Sequence, residues 1–455
     1  MQVSDFLFKT DPIAAIATGG NASAIAIIRC SGEGVIQKIS TIFRPKKQAQ
    51  DILTLPGYRQ VYGSIYDGDY LIDEVIISIY RNPHSFTGED SVEISCHGSV
   101  FIQKRILVLL NKIGIRPAQA GEFTLRAWKN RKYDLAQAEA IADLIDSRSE
   151  TAHQIAIQHL KGQFSDTIKK LRQDFIHFAS LLELELDFAE EDLEFADREN
   201  FNVLIKNLST HIQQLIDSYQ IGKAIKEGIP VAIIGKPNVG KSSLLNQLLQ
   251  DDKAIVSDIE GTTRDLIEDV IDLNGYLFRF IDTAGIRQSD DIIEKLGIER
   301  SMKAIERAAI VIYLIDEKGI TVDDEVLLNH IQNSQKLLIK AQNKTDLINS
   351  PTTDWIALSV KLQKGVELII ENLLSYVEKH NINNRTIVTS ARHVFLLEQT
   401  QKELTQIQSD FMEGIPTDLI AISVRSAMNY LGEITGTIHV DNLLENIFSK
   451  FCIGK

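Results

Sequence analysis

Gly235-Lys236-Pro237-Asn238-Val239-Gly240-Lys241-Ser242 has the spacing of a phosphate-binding loop. An apolar run, Val231 to Ile234, precedes it, and a helix-forming stretch from Ser243 to Leu249 follows. Such a loop needs both flanks. Its glycines let backbone N–H groups face phosphate oxygens, and the helix N-terminus adds the positive end of a dipole. In this arrangement the Lys241 ammonium reaches the β- and γ-phosphates, and the Ser242 hydroxyl ligates Mg²⁺. Asn238, Val239, Gly240 and Ser243 complete the expected phosphate-side contacts.

Three further elements follow in order. Asp282-Thr283-Ala284-Gly285 would supply a carboxylate to the magnesium shell through Asp282, and through Gly285 an N–H that senses the γ-phosphate. Asn343-Lys344-Thr345-Asp346 resembles the guanine-specificity element of GTP-binding proteins. There Asp346 would accept from the guanine N1 and N2 hydrogens, which adenine does not offer. Ser359-Val360-Lys361 would form the last base contact. Between phosphate loop and D-T-A-G, the stretch Gly261-Thr262-Thr263-Arg264-Asp265 is where a switch threonine belongs, and Thr263 is expected as the second magnesium hydroxyl. Ile286 follows D-T-A-G, and an aliphatic side chain cannot polarise water. Asp290, Asp291 and Glu294 are the nearby groups that could do so, or they are ordinary surface charges.

These motifs must be carried by several domains, because 455 residues exceed one ordinary core. Residues 1–125 mix short β-type runs with turns and predict an α+β module. Residues 126–219 change to a helical period, beginning with Asp134-Leu135-Ala136-Gln137-Ala138-Glu139-Ala140. Residues 220–380 alternate apolar strands with helices, the pattern of a parallel α/β sheet. The strands expected are Val231–Ile234, Leu277–Ile281, Ile310–Ile315, Leu337–Lys340 and Trp355–Leu358. Residues 381–455 return to helix. The fold class is thus multidomain α/β plus α+β, with an α/β domain inserted into a discontinuous helical one.

Composition narrows the partners. A net charge of −14 argues against a general nucleic-acid coat. The basic stretch Arg116 to Lys132 is either a solvated rim or a phosphate-contacting patch. The acidic run Glu183 to Glu194 lacks a His at ligand spacing, so a solvated helix face outweighs a metal site. The three cysteines, Cys30, Cys96 and Cys452, form no C-x-x-C pair and fit a reducing compartment. With no leader-like start and no long apolar run, the expectation is a cytoplasmic protein without a membrane span.

Taken together, G-K-P-N-V-G-K-S-S-L-L-N, S-D-I-E-G-T-T-R-D, D-T-A-G-I-R, D-L-A-Q-A-E-A-I-A-D-L-I-D, S-F-T-G-E-D and the terminal F-C-I-G-K resemble the MnmE/TrmE family of tRNA modification GTPases along essentially the whole chain. The resemblance implies an N-terminal module similar to the folate-binding domain of aminomethyltransferases, which also forms a homodimer contact. It implies GTP hydrolysis to GDP activated by potassium as two GTPase domains meet. The potassium ligands map onto Asn238, Ser257, the Ile259 carbonyl and Thr262; Ser257 stands where the family commonly has Thr. The water-orienting residue maps onto Glu294. The folate site, for 5,10-methylenetetrahydrofolate or a related tetrahydrofolate, maps onto Arg29, Glu93, Lys132 and Lys455. Arg29 would pair with a carboxylate, and Glu93 would accept from the pterin. A flavin-binding MnmG/GidA-type partner is implied, in a heterotetramer or larger assembly that modifies C5 of the wobble uridine of tRNA. The nucleotide motifs alone also suit a ribosome-assembly or signalling GTPase switch.

The terminal Phe451-Cys452-Ile453-Gly454-Lys455 fails as a prenylation box, since Gly is not aliphatic and Lys is a poor last residue. A frayed tail is the default for such an end. The resemblance instead makes it part of the folate site: Phe451 and Ile453 would pin it and Gly454 would allow close approach. Cys452 would then lie near the one-carbon unit, as a nucleophile or in a structural or redox role.

Overall fold

A computed structural model describes residues 10–47, 51–187, 198–250, 269–281, 294–334, 336–348, 350–379 and 386–438, with Ile447, Phe451 and Gly454. The chain forms two compact units. One gathers the residues up to Ala142, His159–Gln173 and those from Met428 onward. The other holds Asp143–Gln158 and Asp174–Ala427.

The first unit is built on a sheet of β1 (Ile13–Ile16), β2 (Ile25–Ser31), β3 (Phe43–Pro45), β4 (Arg59–Asp67), β5 (Tyr70–Tyr80), β6 (Ser91–His97) and β7 (Arg116–Pro117). Their order is β3-β4-β5-β6-β2-β1-β7, antiparallel throughout except for the β1–β7 pair. Alternation decides the faces. On β5, Asp73, Val75, Ile77 and Ile79 point inward while Glu74 and Ile76 are exposed. The inward face packs on helix Val100–Lys112, which buries Ile106, Leu109 and Leu110 against Ile28, Ile77 and Ile94. Each such side chain contributes about 1.5–3 kcal/mol. The opposite face carries Ser78, Glu93, Arg29 and Ala15 in one cross-strand row. Phe123, from helix Glu122–Lys129, packs on that side with Ile13, Ala15, Ala118 and Phe86.

In the second unit a sheet of β8 (Ile229–Ile234), β9 (Asp269–Leu273), β10 (Tyr276–Phe280), β11 (Ile310–Ile315), β12 (Leu337–Gln342) and β13 (Ile356–Ala357) runs in the order β13-β12-β11-β8-β10-β9. The five strands expected from the apolar runs are all present. The sheet is not wholly parallel, however: β9 pairs antiparallel with β10 at the edge. The cause is the dipeptide Asn274-Gly275, whose positive φ values of 52° and 82° are those of a tight hairpin turn. This signal is local to two residues, and apolar periodicity does not carry it. β8, β10, β11, β12 and β13 are parallel, so their C-terminal ends share one edge. The chain turns to opposite sides of β8, which puts the loop after β8 at the point where α/β sheets bind ligands.

The helix Arg198–Glu227 runs past residue 219 and stops where Gly228 takes φ 91° before Pro230. It packs along helix Ala391–Met412, with the Phe201 ring stacked on Phe411 and against Phe178. At Gly222 an added Cβ would collide with the Val388 carbonyl, so the close approach of the two segments requires glycine. Along the chain, helical segments therefore precede and follow the α/β domain, and the α+β module comes before them in sequence. Among the described residues no helix is long and apolar enough to cross a membrane.

Candidate functional site

The loop from β8 to helix Lys241–Gln250 has the conformation its sequence demands. Gly235 (φ 151°) backs onto the Leu314 carbonyl and Gly240 (φ 101°) onto the Asn343 side-chain amide; a Cβ at either would overlap those atoms. Asn238, at φ 61°, takes the left-handed turn between them with its side chain exposed. Lys241 Nζ donates to the carbonyls of Gly235 (2.7 Å) and Lys236 (2.6 Å). Burial lowers its pKa to about 8, because the ammonium loses hydration. A phosphate group would supply counter-charge there.

The base-side loops meet this one through Asn343, which is nearly inaccessible to solvent. Its Nδ2 donates to the Val239 carbonyl at 2.9 Å, and its Oδ1 accepts from the Val360 N–H at 3.1 Å. Asn343 thus bolts the two loops together. Thr345 donates through both N–H and hydroxyl to the Leu358 carbonyl. The Ser359 hydroxyl donates to Asp346 Oδ1 at 2.7 Å, and this bond, more than the Lys361 charge, holds the Asp346 carboxyl below its ordinary pKa. Asp346 is therefore an oriented anion, suited to accept two N–H groups of one base edge. Lys344, in a left-handed turn (φ 60°), reaches Glu317 at 3.2 Å. Lys361 is exposed beside them.

Of the other expected nucleotide-side groups, Ser242 and Ser243 open the helix. Ser257, Ile259, Thr262, Thr263, Asp282 and Gly285 lie outside the described residues. Glu294 begins helix Glu294–Arg307, but its side chain is likewise outside them. The far end of that helix is anchored by Lys336, whose Nζ donates to the carbonyls of Ile305, Glu306 and Ala308. This cap has no sequence signature, since 30 positions separate Lys336 from Glu306.

In the first unit, Arg29 and Glu93 face each other across β2 and β6 and form an ion pair at 2.9 Å. Each is about one-fifth exposed, so both remain open to a ligand from one side. The Tyr80 hydroxyl reaches Glu93 at 3.4 Å, and the Arg29 guanidinium lies 5.2 Å from the Phe86 ring and 6.0 Å from that of Phe123. Phe86 lies in the S-F-T-G-E-D motif but, like Tyr80, becomes a site candidate only through this packing. Lys132 joins the same loop. Its Nζ donates to the Pro83 carbonyl at 3.2 Å, and Gly88 (φ 78°) admits the Asn130–Lys132 segment within contact distance. Cys30 and Cys96 are buried, and burial raises both thiols, that of Cys96 to about 11. Neither is a nucleophile.

Tail residues come to this unit. Phe451 is buried with Ile447, Leu125, Leu135 and Ala138. Gly454 (φ 104°) sits so close to the Ile16 carbonyl that a Cβ would overlap it. Ile16 adjoins Ala15, the cross-strand partner of Arg29. Cys452, Ile453 and Lys455 lie outside the described residues.

The basic stretch resolves differently from either expectation for two of its arginines. Arg116 pairs with Asp11 (2.7 Å) and Glu122 (2.6 Å). Arg126, 4% exposed, pairs with Glu122 (2.9 Å) and Glu89 (3.2 Å). Burial pushes Glu122 up, but Arg116, the Gln119 N–H and Arg126 outweigh it and keep its pKa low. These charges brace the module and are not free for phosphate. The acidic run falls largely outside the described residues, and among the described residues no cluster of metal-ligating side chains occurs.

Two family models match successive stretches of the chain. Residues 12–132 match the family model described as GTP-binding protein TrmE N-terminus, and residues 135–452 match the MnmE helical domain. A tRNA modification GTPase MnmE of Christiangramia forsetii is 45% identical, with 98% of this chain and 99% of that protein covered. Those of Flavobacterium psychrophilum and Porphyromonas gingivalis are 46% and 42% identical, each with 98% of this chain and 99% of the relative covered. The chain belongs to the tRNA modification GTPase MnmE family.

Proposed function

We propose that this protein hydrolyses GTP to GDP and couples that cycle to folate-dependent modification of tRNA at C5 of the wobble uridine. The observation that carries the nucleotide half is Asn343, which ties the phosphate loop to the loop presenting Asp346, so that phosphate and guanine ends are read by one connected frame. The backbone cradle of Gly235 to Gly240 and the donor-rich Lys241 fit a triphosphate, and Ser242 with Thr263 and Asp282 would hold Mg²⁺. Bound magnesium offsets phosphate charge and orients the terminal phosphoryl group.

Potassium would be held by Asn238, Ser257, the Ile259 carbonyl and Thr262; the exposed left-handed turn at Asn238 fits this role. A cation beside the β–γ bridge supplies the positive charge that an arginine supplies elsewhere. Glu294 would orient the attacking water, which Ile286 cannot do. Lys241 would hold the β/γ oxygens, whose negative charge would offset the burial that lowers its pKa.

Folate would lie across Arg29 and Glu93 beside Phe86, with Lys132 and Lys455 at its rim. It brings the one-carbon unit, while these residues set its orientation and Gly454 lets the tail close on β1. Cys452 would stand near that unit. Homodimerisation would use the module's open sheet face, where Tyr62 and Ile76 form an exposed cross-strand pair. A flavin-binding partner would supply the redox step on tRNA.

The test is GTP hydrolysis in potassium against sodium, with wild type and E294A. Potassium should accelerate turnover at least about tenfold, and E294A should abolish that gain. Equal rates in sodium, with full activity in E294A, would overturn the hydrolytic mechanism.

A further inference from the structure

Lys236, the residue after the first glycine of the phosphate loop, is joined at two points to different parts of the second unit. Its backbone carbonyl accepts from Lys241 Nζ at 2.6 Å. Its own Nζ donates to the Thr321 hydroxyl at 2.6 Å and lies 3.6 Å from Asp324 Oδ2. Thr321 is the cap of helix Val322–Gln332, and Asp324 is 2% exposed. The Asp324 carboxylate accepts from the Thr321 hydroxyl (2.6 Å), the Thr321 N–H (2.8 Å) and the Tyr313 hydroxyl (2.8 Å). Tyr313 lies on β11, fully buried in the sheet next to β8.

A buried carboxylate with three hydrogen bonds is a fixed point, because each bond is charge-assisted and the group cannot rehydrate. A lysine side chain alone would be a loose tether. Against this fixed point it becomes a strut, running from β11 through Asp324 and Thr321 to the first half of the phosphate loop. The carbonyl at the loop end of that strut is one of the two that receive Lys241.

We propose that Lys236 is a positioning residue for nucleotide binding, acting through Thr321 and the buried Asp324 to hold the phosphate loop, and with it Lys241, in the receptive conformation. It touches no phosphate itself. The inference rests on the nucleotide-site reading above. Losing the strut lets the loop open, so it speeds nucleotide release more than it affects folding stability.

The test uses the full chain and the fluorescent N-methylanthraniloyl derivative of GDP. K236A should accelerate release about tenfold, with an unfolding midpoint within about 2 °C of wild type. K236R, which keeps a charge that reaches Thr321, should restore release to within about threefold of wild type. D324N should resemble K236A, and the double variant should be no faster than the quicker single one. T321V replaces D324N if the latter fails to fold. Unchanged release in K236A, failure of rescue by K236R, or full additivity each overturns the proposal. Failure of wild type to bind the GDP derivative would instead overturn the nucleotide reading.

Discussion

Asn343 and Val239 are 104 positions apart in sequence, yet the Asn343 side-chain amide donates to the Val239 carbonyl at 2.9 Å inside the second unit. One residue thereby joins the phosphate-side and base-side loops. Removing it as N343A strands the Val239 carbonyl and the Val360 N–H in a buried place. We expect a loss of about 1–3 kcal/mol in folding stability and a fall of about tenfold or more in GDP affinity. Denaturant unfolding and a GDP titration on the same variant check both numbers.

Asp346, held by Ser359, offers only acceptors to a base edge. D346N replaces one acceptor oxygen with a donor NH₂. Guanine then meets a donor where it presents its own N2 hydrogens, whereas xanthine presents a carbonyl there. GTP affinity should fall by at least about a hundredfold and xanthosine triphosphate should become the better ligand. Competition between the two nucleotides decides it; an unchanged preference for GTP would remove Asp346 from the base site.

Lys241 sets a pH limit. Its pKa is lowered to about 8 by burial, and a bound phosphate raises it again, so binding favours the protonated form. Affinity should be flat below pH 8 and should fall by up to about tenfold per pH unit above it, until the bound-state pKa is reached. The stability sign is the reverse of a salt-bridged lysine. The folded state carries a penalty below pH 8 that is relieved as pH rises from about 8 towards 10.5. Titrations of GDP at pH 7 to 9.5, with K241M as the control lacking the slope, measure the first effect.

The tail contact separates the two halves of the proposed activity. G454V places a side chain against the Ile16 carbonyl and at a φ that valine avoids, so the tail must leave β1. Binding of a reduced folate should weaken at least about tenfold while potassium-stimulated GTP hydrolysis stays within about twofold of wild type. Fluorescence titration of folate and a phosphate-release assay are the two readouts. Undiminished folate binding would detach the tail from that site.

Much was legible in the chain because local chemistry carried it. The strand–loop–helix of the phosphate site follows from Gly235, Gly240 and the flanking apolar runs, and the helix end follows from Gly228 with Pro230 two positions on. The Asn274-Gly275 turn between β9 and β10 is equally local, but apolar content alone, which marks the strands, does not carry it. What the sequence by itself determined was therefore the parts whose conformation and charge are set by neighbours within a few positions. Only the tertiary structure decided which distant groups meet: Asn343 with Val239, Lys236 with Asp324, Arg29 with Glu93 and Phe86, and Gly454 with Ile16. It also decided that Arg116 and Arg126 are bound up in ion pairs inside the module rather than open to phosphate. Register and helix packing fix those meetings, and neither leaves a mark at any single position of the chain.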